Sequence, residues 1–155
     1  MLFRSHVNMA NLGPYFAGWE WAMNRNSWNS LTDAQRRVLL DTIAESTVET
    51  EIAYMAAGEE AIKEAPSKGV TVYQPSDDLK ASIAAFSTKA REAALKEGNE
   101  RFKLKDTEGL ISRFEATLAK WEKLLDGVDR TDQAALTKLL RTEVYDKVDA
   151  ATYGR

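Results

Sequence analysis

The chain has 155 residues, of which 44% are hydrophobic and 29% charged, with a formal net charge of −3. That balance suits an ordinary globular domain, or one piece of a larger fold, and argues against a mainly disordered chain. There is no Cys and a single His, which excludes disulfides, thiol chemistry, thiolate metal sites and any multi-histidine metal centre.

The slight acidity also makes the chain a poor general binder of nucleic acid, because phosphate contacts need clustered Lys and Arg. Arg36-Arg37 is the one tight basic pair, and acidic residues lie on both sides of it. No apolar run is long enough to span a bilayer, so direct membrane insertion is not expected. Met1 to Ser5 lacks the charged, apolar and small-residue regions of a signal peptide. It reads as an arbitrary leader, and residues 1–155 as a single partial domain of a truncated frame.

Residues 6–23 are the most β-like stretch. His6, Val7 and Asn8 make a polar strand end, and Leu12-Gly13-Pro14 breaks it. Tyr15 to Met23 is rich in aromatics, which favours a second strand, and Gly18 within it hints at a bulge or a close backbone approach. Asn24 to Asn29, with Trp28 embedded, reads as a turn or a short helical connector. Thr32 is a good N-cap and Gln35 stands at the capping-box spacing, so a helix should begin here. Leu40, Ala44, Val48, Ile52, Met55 and Ile62 recur mostly at steps of three and four. A parallel stripe, Leu39, Ile43, Thr47 and Tyr54, is less apolar. Pro66 and Gly69 should end the helix near Glu64-Ala65. At ~1.5 Å per residue it would run on the order of 45–50 Å, more than most single domains need.

Val70 to Tyr73 is a short apolar strand, broken by Gln74-Pro75. Ser76 can cap the next helix, with Asp77 and Asp78 at the positive end of its dipole. Leu79, Ile83, Phe86, Ala90 and Ala93 give that helix one core face, and Lys96 to Asp106 reads as a charged loop or fraying end. A third long helix should run from about Glu108 to Leu125, with Leu110, Phe114, Leu118, Trp121 and Leu125 as its core face and Gly127 as its stop. A fourth follows Asp132, with Leu136, Leu140, Val144 and Val148 at steps of four. The tail after Ala150 needs a docking place to be ordered.

Few of these residues point to chemistry. Glu45 with Glu49, and Glu59 with Glu60, are acid–base or metal pairs by type alone. They lie off the apolar stripe, and Glu59 stands four residues before Lys63, the orientation of an exposed ion pair, so a solvated helix face is the better reading. Trp19, Trp21 and Trp28 offer surface on which a ligand could stack. Strand alternation puts Trp19 and Trp21 on one face and sends at least one of them to the core. Trp121 belongs to a helical stripe and to the core. His6 and Asn8 are the candidate ligand-binding residues, because polar groups at a strand end beside a breaker are well placed to line a cleft; the plainer alternative is a surface strand end. A coiled coil is disfavoured because Glu59 takes the place of the next apolar residue after Ile52. No catalytic constellation, metal ligand set or cofactor site is evident.

The order of elements over residues 6–97 is more telling. It runs from the polar strand end and aromatic strand through the connector Met23 to Asp33, then the very long helix and the short strand Val70-Thr71-Val72-Tyr73. A helix then opens at Ser76-Asp77-Asp78-Leu79. This resembles the C-terminal half of the solute-binding proteins of tripartite ATP-independent periplasmic (TRAP) transporters, dicarboxylate-receptor type. Their connector typically reads Asn, a charged residue, a variable pair, Trp, a polar pair and Leu, places filled here by Asn24, Arg25, Trp28 and Leu31. The ending, Leu139-Leu140 with Glu143 to Asp149, also looks like the C-terminal helix of some members.

The resemblance implies an α/β, mostly helical fold: the C-terminal part of a type II periplasmic-binding-protein-like bilobal architecture, with a very long helix spanning both lobes. It implies a periplasmic binding protein that captures a small organic acid, such as a C4-dicarboxylate, and delivers it to membrane permease subunits. Members commonly clamp the carboxylate with an arginine upstream of the part resembled here. The rival expectation is a stand-alone helical interaction or oligomerisation protein, supported by four amphipathic helices in one short chain.

Overall fold

A computed structural model describes residues 6–10 and 21–154. The leader and the breaker at residues 12–14 lie outside the described residues, as does the aromatic strand expected from Tyr15 as far as Glu20. Trp21 to Met23 carry no regular secondary structure.

The connector is a short helix, α1 (Arg25–Ser30). Asn24 starts it, its side-chain oxygen accepting from the backbone N–H groups of Asn26 and Ser27 at 2.9 and 3.4 Å. The expected capping box then opens the next helix. The Thr32 N–H donates to Gln35 Oε1 at 2.9 Å, and the Gln35 N–H returns to Thr32 Oγ1 at 3.3 Å, so two orphan donors are satisfied reciprocally. That helix, α2 (Asp33–Glu64), has 32 residues, about 48 Å of rise. Its buried residues are Arg36, Leu40, Ala44 and Val48, one every four positions. Farther along, the stripe is less well covered: Ile52 and Ile62 are half-buried and Met55 is exposed.

Pro66 ends α2 because it has no N–H to donate, and the chain tightens into a 3-10 turn, Ala65–Lys68. Gly69 follows at φ 74°, a left-handed conformation that costs a residue without a Cβ little, and its N–H closes onto the Pro66 carbonyl at 3.1 Å. The turn delivers the chain into a short strand, β2 (Thr71–Tyr73), which pairs in parallel with β1 (His6–Asn8) in the register His6–Thr71, Val7–Val72, Asn8–Tyr73. These two strands form the one sheet among the described residues, so the fold is mostly helical.

α3 (Asp77–Glu100) begins at Ser76, whose hydroxyl accepts from the Leu79 N–H at 3.3 Å. It runs on through Lys96–Glu100, the first part of the charged stretch Lys96 to Asp106 that reads as a loop or fraying end. Lys96, Glu97 and Glu100 are good helix formers that need no core contact to continue a helix. Asp106 caps α4 (Thr107–Leu124) by accepting from the Gly109 N–H at 2.9 Å.

α3 and α4 meet without a large apolar seam. Gly98 is buried against Thr107, so closely that a Cβ at Gly98 would lie 2.3 Å from Thr107 Cγ2. Arg91 bridges to Glu115 at 2.8 Å and Glu108 at 2.6 Å. The stripes expected to be core are therefore not spent on this contact. Phe86, Leu110, Phe114 and Leu118 are exposed, and Trp121 is only half-buried. Helical spacing groups these residues along one side of each helix, but the core burial expected of them is not found, because among the described residues little packs over them.

Gly127, at φ 69°, turns the chain out of α4. Asp132 caps α5 (Gln133–Glu143) through the Ala135 N–H at 2.9 Å, and a 3-10 turn, Tyr145–Lys147, leads into the closing turns. Leu136, Leu140 and Val148 are half-buried, while Val144 is exposed. The elements fall into two compact units. One holds β1, β2, α3 and α4. The other holds α1, α2 as far as Lys63, α5 and the C-terminal turns.

Candidate functional site

His6 and Asn8 sit two residues apart on β1, with their backbones paired to Thr71 and Tyr73. The Asn8 side chain is exposed, and its oxygen accepts from the Ala10 N–H at 3.0 Å, an Asx turn that ends the strand. The strand end is thus held by its own side chain and by the Met9 N–H donating to the Tyr73 carbonyl at 2.9 Å.

The most developed polar constellation lies in the other unit, around Arg36. Its guanidinium is 1% exposed. Nε donates to the Trp28 carbonyl at 3.0 Å and Nη2 to the Asn29 carbonyl at 3.2 Å. Nη1 reaches Asp33 at 3.1 Å and the Ala150 carbonyl at 3.3 Å. The guanidinium also stands 5.7 Å from the centre of the Trp28 ring, a cation–π contact. Trp28 in turn donates from Nε1 to the Tyr153 carbonyl at 2.7 Å and meets the Tyr153 ring edge-on at 6.1 Å. One cation therefore ties α1, the first turn of α2 and the C-terminal turns together. Four of its five N–H donors are engaged and the side chain is buried, so it is a structural clasp and not a free anion donor. The Trp of the connector is a part of this clasp.

Arg37 is similarly committed. It donates to Asp41 at 2.9 Å from Nε and to the Tyr145 carbonyl at 2.9 Å from Nη1. Asp41 also holds Arg141 at 3.2 Å, and Arg141 reaches Asp146 at 3.5 Å. The basic pair Arg36-Arg37 is thus internal scaffolding, which explains how a basic dipeptide can sit in a helix without serving a phosphate.

A shallow cleft beside this network is lined by Glu45, Thr137, Lys138 and Arg141 among others. Glu49, Glu59 and Glu60 are exposed along α2. A second, better enclosed groove is lined by Trp21, Trp28, Tyr145 and Tyr153, together with Arg25 and the apolar residues Leu39 and Ile43. Burial pushes the Tyr145 hydroxyl above its ordinary value, and the neighbouring Tyr153 adds to the shift. Trp19, the other aromatic weighed as a stacking platform, lies outside the described residues. Among the described residues, no group of three or more His, Asp or Glu is placed to hold a metal ion, and no helix is long and apolar enough to cross a membrane.

Sequence reasoning missed the clasp. Its signal was present: Arg36 stands four residues before Leu40, on the same stripe as Ala44 and Val48, a position where a polar side chain must be buried and satisfied.

Residues 5–97 match the model of the family described as bacterial extracellular solute-binding protein, family 7. The match spans β1, α1, α2, β2 and all but the last turn of α3, more than half of the chain, and the chain belongs to that family. Searches of curated proteins and of solved structures return no significant match. Family membership brings an extracytoplasmic solute-binding role of the TRAP type, with a small-molecule ligand and membrane transporter partners in general terms. It is a solute-binding family and not a family of enzymes. The match stops at residue 97, so the likeness of the ending at residues 139–149 draws nothing from it.

Proposed function

We propose that the protein captures a small organic acid, a C4-dicarboxylate or a related carboxylate, in the periplasm and delivers it to the permease subunits of a TRAP-type transporter. The family match over residues 5–97 carries this reading. In it, the chain is the C-terminal part of a two-lobed receptor of the dicarboxylate type, and α2 is the helix that runs through both lobes. The 32-residue length of α2 supports that role, since few single domains need a helix of about 48 Å. Capture then proceeds by hinge closure, with no bond made or broken.

His6 and Asn8 are the residues we assign to the ligand cleft. Support comes from their place at the end of a paired strand and from the exposure of Asn8. The committed state of Arg36 and Arg37 fits the expectation that the carboxylate-clamping arginine comes from an upstream segment. The rival reading, a stand-alone helical interaction protein, is not favoured by a family whose members bind solutes.

The test is isothermal titration of the complete protein carrying these residues with succinate, malate, fumarate, lactate and simple keto acids. Saturable binding of at least one acid is expected. The Asn8→Asp variant, which keeps the Ala10 hydrogen bond but sets a carboxylate against the ligand, should weaken that binding about tenfold or more. Silence across the panel would overturn the reading, and unchanged binding by Asn8→Asp would remove Asn8 from the site.

A further inference from the structure

The groove lined by Trp21, Trp28, Tyr145 and Tyr153 has a volume of about 630 Å³, within the range of small-molecule sites. Its character is unusual for this chain in two ways. Aromatic rings from three separate stretches converge on it: the segment before α1, α1 itself and the C-terminal turns. It also carries a cation that the fold has not consumed. Arg36, Arg37 and Arg141 are engaged with carbonyls or carboxylates. Arg25 lines the groove, is exposed, and has no hydrogen-bond or ion-pair partner among the described residues.

A guanidinium offers a carboxylate two parallel N–H donors, and it does so best where its own protein has not already paired it. Aromatic faces reward a flat apolar body that can lie against them in offset or edge-on contact. One free cation matches one carboxylate. A short aliphatic diacid would leave the rings uncovered and its second charge unmatched. From this charge and shape complementarity we infer that the groove is a binding site for an aromatic monocarboxylate, a single ring system bearing one acid group on a short arm. The Arg25 guanidinium takes the carboxylate. Trp21, 58% exposed and with no hydrogen bond among the described residues, takes the ring. Trp28 is fixed by Arg36 and Tyr153 and forms a rigid wall. The site belongs to the unit built on α1, α2 and α5, and the inference does not require His6 or Asn8 to bind anything.

The experiment is isothermal titration of the chain at low ionic strength with indole-3-acetate and phenylacetate. Indole-3-acetamide serves as the uncharged control, and succinate and lactate as aliphatic acids. Indole-3-acetate should bind saturably at one site, with the amide at least tenfold weaker. Arg25→Gln should weaken the acid about tenfold and the amide little, and Trp21→Ala should weaken both. Arg25 and Trp21 are exposed and unpaired, so both variants should melt with the parent, which circular dichroism checks. No saturable binding of either aromatic acid overturns the inference, as does binding that Arg25→Gln leaves unchanged. If succinate or lactate binds while the aromatic acids do not, this site is refuted and the proposed function stands. If the aromatic acids bind through Arg25 and the complete protein ignores the aliphatic panel, the proposed aliphatic substrate class falls and this site stands.

Discussion

Replacing Arg36 with alanine should cost about 3–5 kcal/mol of folding stability, the loss expected from buried carbonyls left without a donor and the lost packing of a buried side chain. The side chain is 1% exposed and holds three backbone carbonyls, those of Trp28, Asn29 and Ala150, as well as Asp33. The Trp28 carbonyl keeps the Leu31 N–H at 3.2 Å, whereas alanine takes the Arg36 donor from the Asn29 and Ala150 carbonyls, each at a cost of roughly 1–3 kcal/mol if water does not reach it. It also empties the space of the aliphatic stem and removes the cation from the Trp28 face. The losses share one site and do not add. Asp33 is 60% exposed at its side chain and regains water, so it contributes little to the total. At roughly 2.1 cal/mol/K per residue, a chain of this length has an unfolding entropy near 0.33 kcal/mol/K, so the melting temperature should drop by about 10–15 °C. Arg36→Lys should fall between, because one compact ammonium cannot span three carbonyls in different directions. Far-ultraviolet circular dichroism melts and urea titrations measure both variants. Limited proteolysis should also show the C-terminal turns cut earlier in Arg36→Ala, since the Ala150 carbonyl loses its anchor. A fall below about 2 °C, with an unchanged proteolysis pattern, would refute the clasp.

Gly98→Ala should destabilise the protein by about 1–3 kcal/mol even though alanine is the better helix former by ~1 kcal/mol, because the new methyl meets Thr107 Cγ2. Thr107→Ala in the same chain should recover part of the loss, and a stabilised Gly98→Ala in urea would contradict the close approach of α3 and α4. Asp106 is held below the ordinary carboxylate value of 3.8, first by its hydrogen bond from Arg113 and then by the Gly109 N–H. A depressed folded pKa stabilises above the unfolded value and is lost as pH falls through the lower folded one, so α4 should loosen only in acid below about pH 4. Asp106→Asn keeps the cap acceptor but not the ion pair or the titration, and it should flatten the acid limb of the melting curve; parallel limbs would contradict this.

Much of the helical framework could be read from local signals, and the failures have a common cause. Thr32 with Gln35, Ser76, Asp132, Pro66 and Gly69 act within a few residues of themselves, and each does in the structure what its chemistry demands. The stripe of α2 is legible for the same reason. What covers a stripe depends on residues far away in sequence. Leu40, Ala44 and Val48 are buried, whereas Phe114 and Leu118, with spacing as regular, are exposed. The charged stretch Lys96 to Asp106 reads as a loop or a fraying end; helix propensity carries α3 on through Glu100, and only residues 101–106 leave the helix.

The candidate sites divide in the same way. His6 and Asn8 could be picked out as polar residues at a strand end, and the structure pairs their strand with β2. The place of Arg36 on the stripe marks it as a buried polar residue to be satisfied, but not what satisfies it, because the Ala150 carbonyl is 114 residues away. Trp28 was weighed as a stacking platform, and it takes its place in the clasp through that same long-range closure, with Tyr153 supplying both an acceptor and a ring. The aromatic groove was equally invisible, because Trp21, Tyr145 and Tyr153 share no spacing that a local pattern could register.

The most direct test of the account is a thermal melt of the complete protein with and without the panel of small carboxylates. A ligand at ~100 times its dissociation constant stabilises the native state by roughly 2.7 kcal/mol. For a protein of this size or somewhat larger, that raises the melting temperature by roughly 5–10 °C. The account predicts such a rise with at least one organic acid and none with its uncharged amide. A cooperative melt that no acid moves would contradict the claim that this protein is an organic-acid receptor.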